Sequence, residues 1–90
     1  SKDTEEINKK MNATIQALSQ RQMSNGGFSY WPGFGVNNGN DFSSVYAMHF
    51  LTEARNQGFN VPNQLFYNGI NFLKELASQD ASSLETARIR

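Results

Sequence analysis

Apolar residues first recur at helical intervals at Ile7, Met11, Ile15 and Leu18, within the stretch SKDTEEINKKMNATIQALSQRQ. Spaced at about 100° per residue, they form one narrow arc. Asn8, Lys9, Asn12, Gln16 and Gln20 occupy the rest of the circumference. The spacing predicts a helix over residues 4–22 that is wet on one side. Asp3 and Glu6 stand in capping-box register, and acids fill the first turn, where they complement the helix dipole.

The next periodic stretch, DFSSVYAMHFLTEARNQG, has a different character. Val45, Tyr46, Ala47, Met48, Phe50, Leu51 and Ala54 cover well over half of it, leaving a polar stripe of His49, Thr52, Glu53 and Asn56. A helix apolar on most sides must be enclosed by neighbours. Asp41 is placed to cap its start and Gly58 to stop it, so the expected span is 42–57. VPNQLFYNGINFLKELASQ then opens with Pro62 at a first-turn position and predicts a helix over 62–78. Its Leu65, Phe66, Gly69, Ile70, Phe72, Leu73, Leu76 and Ala77 share one face, opposite Tyr67, Asn68, Asn71, Lys74 and Glu75. Finally, SSLETARIR carries Ser82 and Glu85 in capping-box spacing and announces a fourth helix.

The order is one-sided, enclosed, one-sided, with the start of a fourth helix. The fold class is all-α. Alternating outer and inner helices are what an α/α toroid requires, although an ordinary three-helix bundle shares these periodicities. Three helices cannot enclose the middle one unaided, so the pattern points to a fragment of a larger helical domain. The isolated fragment is then expected to self-associate or to be marginally stable, with Val45, Met48 and Leu51 near its exposed seam.

Between the first two helices lies GGFSYWPGFG, residues 26–35, inside an expected long ordered loop over 24–41. Apolar rings left in water forgo roughly 1.5–3 kcal/mol each, so this loop must bury its aromatics or use them. In the structural reading, Gly26 and Gly27 let the chain leave the helix at positive φ. Phe28 and Trp31 fold back over the hairpin, and Pro32 stiffens the exit. In the alternative, Tyr30, Trp31 and Phe34 form a ligand platform, with the asparagines of GVNNGND completing a glycan-binding surface.

Composition narrows the function classes. The chain has 90 residues, enough for one small domain. Eight basic and eight acidic residues balance to zero net charge, without the basic footprint of a nucleic-acid partner. Apolar runs are only a few residues long, so no direct membrane insertion is expected. The absence of cysteine excludes disulfides, thiolate zinc sites and a cysteine nucleophile within these residues.

Candidate chemistry is sparse. His49, the single histidine, lies one turn from Glu53, a spacing that suits an i,i+4 pair. With no second histidine, a metal site is not expected. Ser43 and Ser44 precede no base at readable spacing and read as first-turn residues. No phosphate loop, paired-acid motif or DxDD-like acid cluster of the cyclase kind appears. No catalytic, cofactor-binding or metal-binding residue is therefore assigned.

Taken in order, LSQRQMSNGGFSYWPGFG, SSVYAMHFLTEARNQGFNVP and NGINFLKELAS resemble consecutive helical hairpins of the thioester domain of bacterial alpha-2-macroglobulins. The shared pattern is a helix ending in Leu-x-x-x-Gln, a Gly-Gly-Phe-x-x-Trp-Pro turn, and an inner helix with Ala-x-x-Phe-Leu-x-Glu-Ala. A Gly-Phe-x-Val-Pro link and a further outer helix follow. LETARIR is similar to the lead-in to the domain's next inner helix. The Gly-Gly-Phe turn preceded by glutamine also occurs in terpene cyclases and prenyltransferase β-subunits, which share the toroid. By itself it is a fold signal.

The resemblance implies that residues 1–90 are a fragment of a single α/α-toroid thioester-type domain. It implies a large exported protein, periplasmic or cell-surface, that traps peptidases, with peptidases and the parent's other domains as partners. In that family a Cys-x-Glu-Gln thioester lies upstream of the part matched here, and some bacterial members lack its cysteine. Two other classes stay open. One is an enzyme of the terpene cyclase or prenyltransferase kind, which an acid cluster or zinc ligands elsewhere in the parent would favour. The other is a stand-alone carbohydrate- or protein-binding module.

Overall fold

A computed structural model describes residues 1–32, 35–36 and 42–89. Three helices, α1 (Lys2–Arg21), α2 (Phe42–Asn56) and α3 (Asn63–Ile89), carry the fold. Between α1 and α2 the chain makes a short antiparallel ribbon of β1 (Tyr30–Trp31) and β2 (Gly35–Val36), pairing Tyr30 with Val36 and Trp31 with Gly35. Asp41, Phe34 and most of GVNNGND lie outside the described residues.

α1 starts earlier than its acids suggested. Ser1 is the N-cap, its hydroxyl accepting from the Thr4 amide at 3.2 Å. Asp3 therefore sits inside the first turn, where its carboxylate faces the positive end of the dipole rather than closing a box with Glu6. Only the C-terminal half of α1 docks. Ile15 and Leu18 are buried, Met11 is half-buried, and Ile7 is 59% exposed.

α2 buries Ser43, Ser44, Ala47, Met48, Leu51 and Ala54, while His49 and Glu53 are exposed, as the polar stripe implied. Its end is a Schellman turn. Gly58 adopts φ +92°, the Phe59 amide reaches back to the Ala54 carbonyl (3.0 Å), and the Gly58 amide to that of Arg55 (3.1 Å). After three more residues the Pro62 carbonyl accepts the first bond of α3, from Phe66 at 3.1 Å. Pro62 thus caps α3 rather than occupying its first turn.

α3 and α2 approach closely at one point. A Cβ on Gly69 would collide with the Met48 sulfur, so the missing side chain is what lets the two helices meet. This contact corrects the expected seam. Met48 and Leu51 are only 2% and 0% exposed, because α1, the turn after it and α3 together cover that side of α2. Of the three seam residues only Val45 is exposed, and its neighbours there are Phe42 and Tyr46.

The expected stop near residue 78 and fresh start at Ser82 do not occur. α3 runs through without a break, and the Ser82 carbonyl accepts the Thr86 hydroxyl one turn on (3.0 Å). Nothing between Ser78 and Ser82 is a glycine or proline, so the backbone has no reason to leave the helix. Residues 77–88 are all exposed, and this projecting half stretches the molecule to 60 Å against 25 and 21 Å across. The core sits at the other end, around Leu18, Phe28, Leu51 and Leu65.

Candidate functional site

The segment from Gln22 to Trp31 is where the three helices are tied together. α1 ends at Arg21, and Gln22 departs in an extended conformation. Its side-chain amide donates twice, to the Gly26 carbonyl and to the Leu65 carbonyl of α3, each at 3.0 Å. Both amide hydrogens are thereby used, one holding the turn and one fastening it to α3.

The turn itself closes through the backbone. Met23 donates to the Gly27 carbonyl and Gly26 donates to the Met23 carbonyl, both at 2.9 Å. The Asn25 side-chain oxygen accepts from the Gly27 amide at 2.9 Å, an Asx turn. Gly26 lies at φ +91°, and a Cβ there would strike the Asn68 carbonyl of α3. Gly27 does not share that conformation, contrary to the expectation. Its need for glycine is steric, since a Cβ would lie 2.8–3.1 Å from the Phe72 ring.

Phe28 follows, 2% exposed and within the core. Its backbone is clamped by one hydroxyl: Ser44 Oγ accepts from the Phe28 amide at 2.8 Å and donates to the Phe28 carbonyl at 3.2 Å. Ser44 is itself 1% exposed. Its proton and a lone pair are committed to the backbone, and it cannot act as an accessible nucleophile. Ser43, beside it, is equally buried.

Beyond Phe28 the rings become half-exposed. Trp31 packs edge-on to Phe50 (5.8 Å between centroids) and tilted against Tyr46 (6.4 Å), which in turn neighbours Phe42 (6.5 Å). The Arg21 guanidinium lies 4.2 Å from the centre of the Tyr30 ring, a cation–π contact across the turn. Pro32 is exposed at the exit, and Phe34 lies outside the described residues. Tyr30 and Trp31 therefore sit side by side on the ribbon, Trp31 leaning on α2 and Tyr30 on the end of α1.

Sequence reasoning placed Ser44 in the first turn of α2, where it lies, but gave no partner to Gln22, Ser44 or Arg55. Gln22 had a signal, since the turn pattern includes it. Ser44 had none, because a first-turn serine looks alike whether it faces water or a backbone. Arg55 lies over the Phe66 ring at 4.5 Å and donates to the Tyr67 hydroxyl at 3.2 Å, bracing α2 on α3. Among the described residues, no group of three or more histidine, aspartate or glutamate side chains converges in a way that could hold a metal. No described helix is long and apolar enough to cross a membrane. What the site offers is a hydrogen-bonded turn carrying a half-exposed aromatic row.

No family model and no solved structure matches the chain. Two curated proteins do. An alpha-2-macroglobulin of Rickettsia conorii is 38% identical over 86 residues, 96% of this chain and 4% of that protein. An alpha-2-macroglobulin homolog of Yersinia pestis is 28% identical over 85 residues, 94% of this chain and 4% of that protein. The chain thus spans a small fraction of the length of the relatives it matches, and the match runs through α1, the Gln22–Trp31 turn, α2 and α3. It belongs to the bacterial alpha-2-macroglobulin family.

Proposed function

We propose that this chain is a structural segment of the thioester-type α/α-toroid domain of an exported, peptidase-trapping macroglobulin. One observation carries the reading. The residues on which the family resemblance rests (Gln22, Gly26, Gly27, Phe28 and Trp31) are also the ones that join α1 to α2 and α3. A motif spent on holding helices together serves the scaffold. The segment is non-enzymatic, the peptidases are met by the whole parent in the periplasm or at the cell surface, and the parent's other domains are its immediate neighbours. Gly26, Gly27, Phe28 and Pro32 act as the structural turn.

The test is made on the full-length parent and on this chain side by side. The parent should shield a captured peptidase from large protein substrates while leaving hydrolysis of a small peptide substrate intact. This chain alone should leave both activities unchanged. Inhibition by the 90-residue chain, or turnover of an isoprenoid diphosphate by the complete helical domain, would overturn the reading.

A second reading has its own observation. Trp31, Tyr46 and Phe42 form a continuous row in which Tyr46 and Phe42 are 47% and 62% exposed, the kind of surface on which a sugar ring stacks. Under it, Trp31→Ala abolishes binding to an immobilised glycan while leaving the thermal midpoint unchanged. Under the scaffold reading the midpoint falls.

A further inference from the structure

Asparagine followed by glycine is the dipeptide most prone to intramolecular cyclisation, because glycine offers the attacking nitrogen no steric cover. The sequence contains Asn25–Gly26, Asn38–Gly39 and Asn68–Gly69. The second lies outside the described residues. The other two are neighbours in space, for Gly26 packs directly on the Asn68 backbone.

We infer that Asn25–Gly26 is a latent self-modification site, closed chemically by the turn that Gln22 fastens and opened when that turn lets go. The reaction needs only solvent. The Gly26 amide nitrogen loses its proton to base and bonds to Asn25 Cγ. The Cγ–Nδ2 bond breaks, and the side-chain nitrogen takes up a proton and departs as ammonia. Water then adds across one of the two C–N bonds of the succinimide, leaving an aspartyl or an isoaspartyl residue at position 25.

Each requirement is blocked in the folded turn. The proton that must leave Gly26 is held by the Met23 carbonyl at 2.9 Å. Gly26 is buried, so base has no approach to it. The Asn25 amide is fixed by its bond to the Gly27 amide at 2.9 Å and cannot swing freely toward the nitrogen. These restraints are local. They depend on the two bonds from Gln22, which join the turn to itself and to α3. Asn68–Gly69, by contrast, lies inside α3 and is released only when that helix melts.

The product cannot return to the same place. An isoaspartyl linkage adds a methylene to the main chain next to Gly26, where even a Cβ collides with the Asn68 carbonyl. The modified chain therefore keeps the turn open and records that it once opened. The aspartyl product is different, since a carboxylate oxygen still accepts from the Gly27 amide, and Asn25→Asp should fold like the parent sequence.

The experiment is peptide mapping by mass spectrometry of the whole chain held in mildly alkaline buffer across a urea series. Deamidation at Asn25 and at Asn68 is followed in the same sample. In native buffer Asn25 should react at least about tenfold more slowly than in full denaturant, as expected when reaction waits on local opening. With increasing urea the Asn25 rate should begin to rise at lower concentration than the Asn68 rate. Gln22→Ala should accelerate Asn25 relative to Asn68 in native buffer. The inference is overturned if Asn25 reacts equally fast in native and denaturing conditions, or if the two sites rise together through the urea series.

Discussion

At the scale of single residues, the turn after α1 depends on contacts whose loss has a definite cost. Ser44→Ala leaves the buried Phe28 amide and carbonyl without their shared hydroxyl. An unsatisfied buried backbone group costs about 1–3 kcal/mol, so the denaturant midpoint should fall without a change of slope. Gly26→Ala should be worse than Gly58→Ala, although both positions lie at positive φ. Gly58 has open space around its missing Cβ, while at Gly26 the Asn68 carbonyl fills it. Thermal melts of the two variants should rank in that order. Trp31→Ala should cost about 2–3 kcal/mol, below the 3–5 typical of a fully buried aromatic, because Trp31 is only half-covered. Gly26 and Gly58 were legible as turn glycines, since φ > 0 is a local demand. The steric demand at Gly27 was not, because it comes from Phe72 on another helix.

At the scale of elements, the helices are legible and their ends less so. α2 follows its expected span within a residue, having a strong apolar pattern and a glycine stop. α3 does not, because a serine at capping-box spacing caps only where the backbone has already left the helix. Its outer half is left in solvent: 77–88 are exposed throughout. Isolated helical stretches of that length are marginal in water. Amide hydrogen exchange should therefore be fast beyond Ala77 and slow between Leu65 and Leu73, where α3 lies on the core. Equal protection along all of α3 would mean that the outer half has found a partner, which in solution would be another copy of the chain.

At the scale of the whole molecule, the exposed apolar surface has moved from its expected place. Phe42, Val45 and Tyr46 are 62%, 46% and 47% exposed on the outer side of α2, while Met48 and Leu51 are sealed inside. Sedimentation of the chain should show concentration-dependent self-association, and Val45→Glu should suppress it at little cost in stability, because that side chain leaves no core cavity. Met48→Glu should instead unfold the chain, since an unpaired carboxylate would be buried against Gly69. Under the toroid reading proposed above, a longer stretch of the parent that carries the neighbouring helices should be monomeric with or without the Val45 change.

The sequence alone determined what depends on periodicity and backbone chemistry: an all-α chain, three helical stretches in order, a glycine-stopped α2, and a glycine–aromatic turn matching a known pattern. Helix formation and turn conformation are set by residues a few positions apart, and such signals survive in a linear text. The tertiary structure decided which apolar residues of α2 are covered, why Gly27 and Gly69 carry no side chain, what Ser44 and Gln22 hold, and that α3 continues past Ser82. Each of these turns on a partner distant in sequence: Phe28 lies sixteen positions from Ser44, and Leu65 forty-three from Gln22. A hydroxyl or an amide has no preference among such partners until packing brings one within reach.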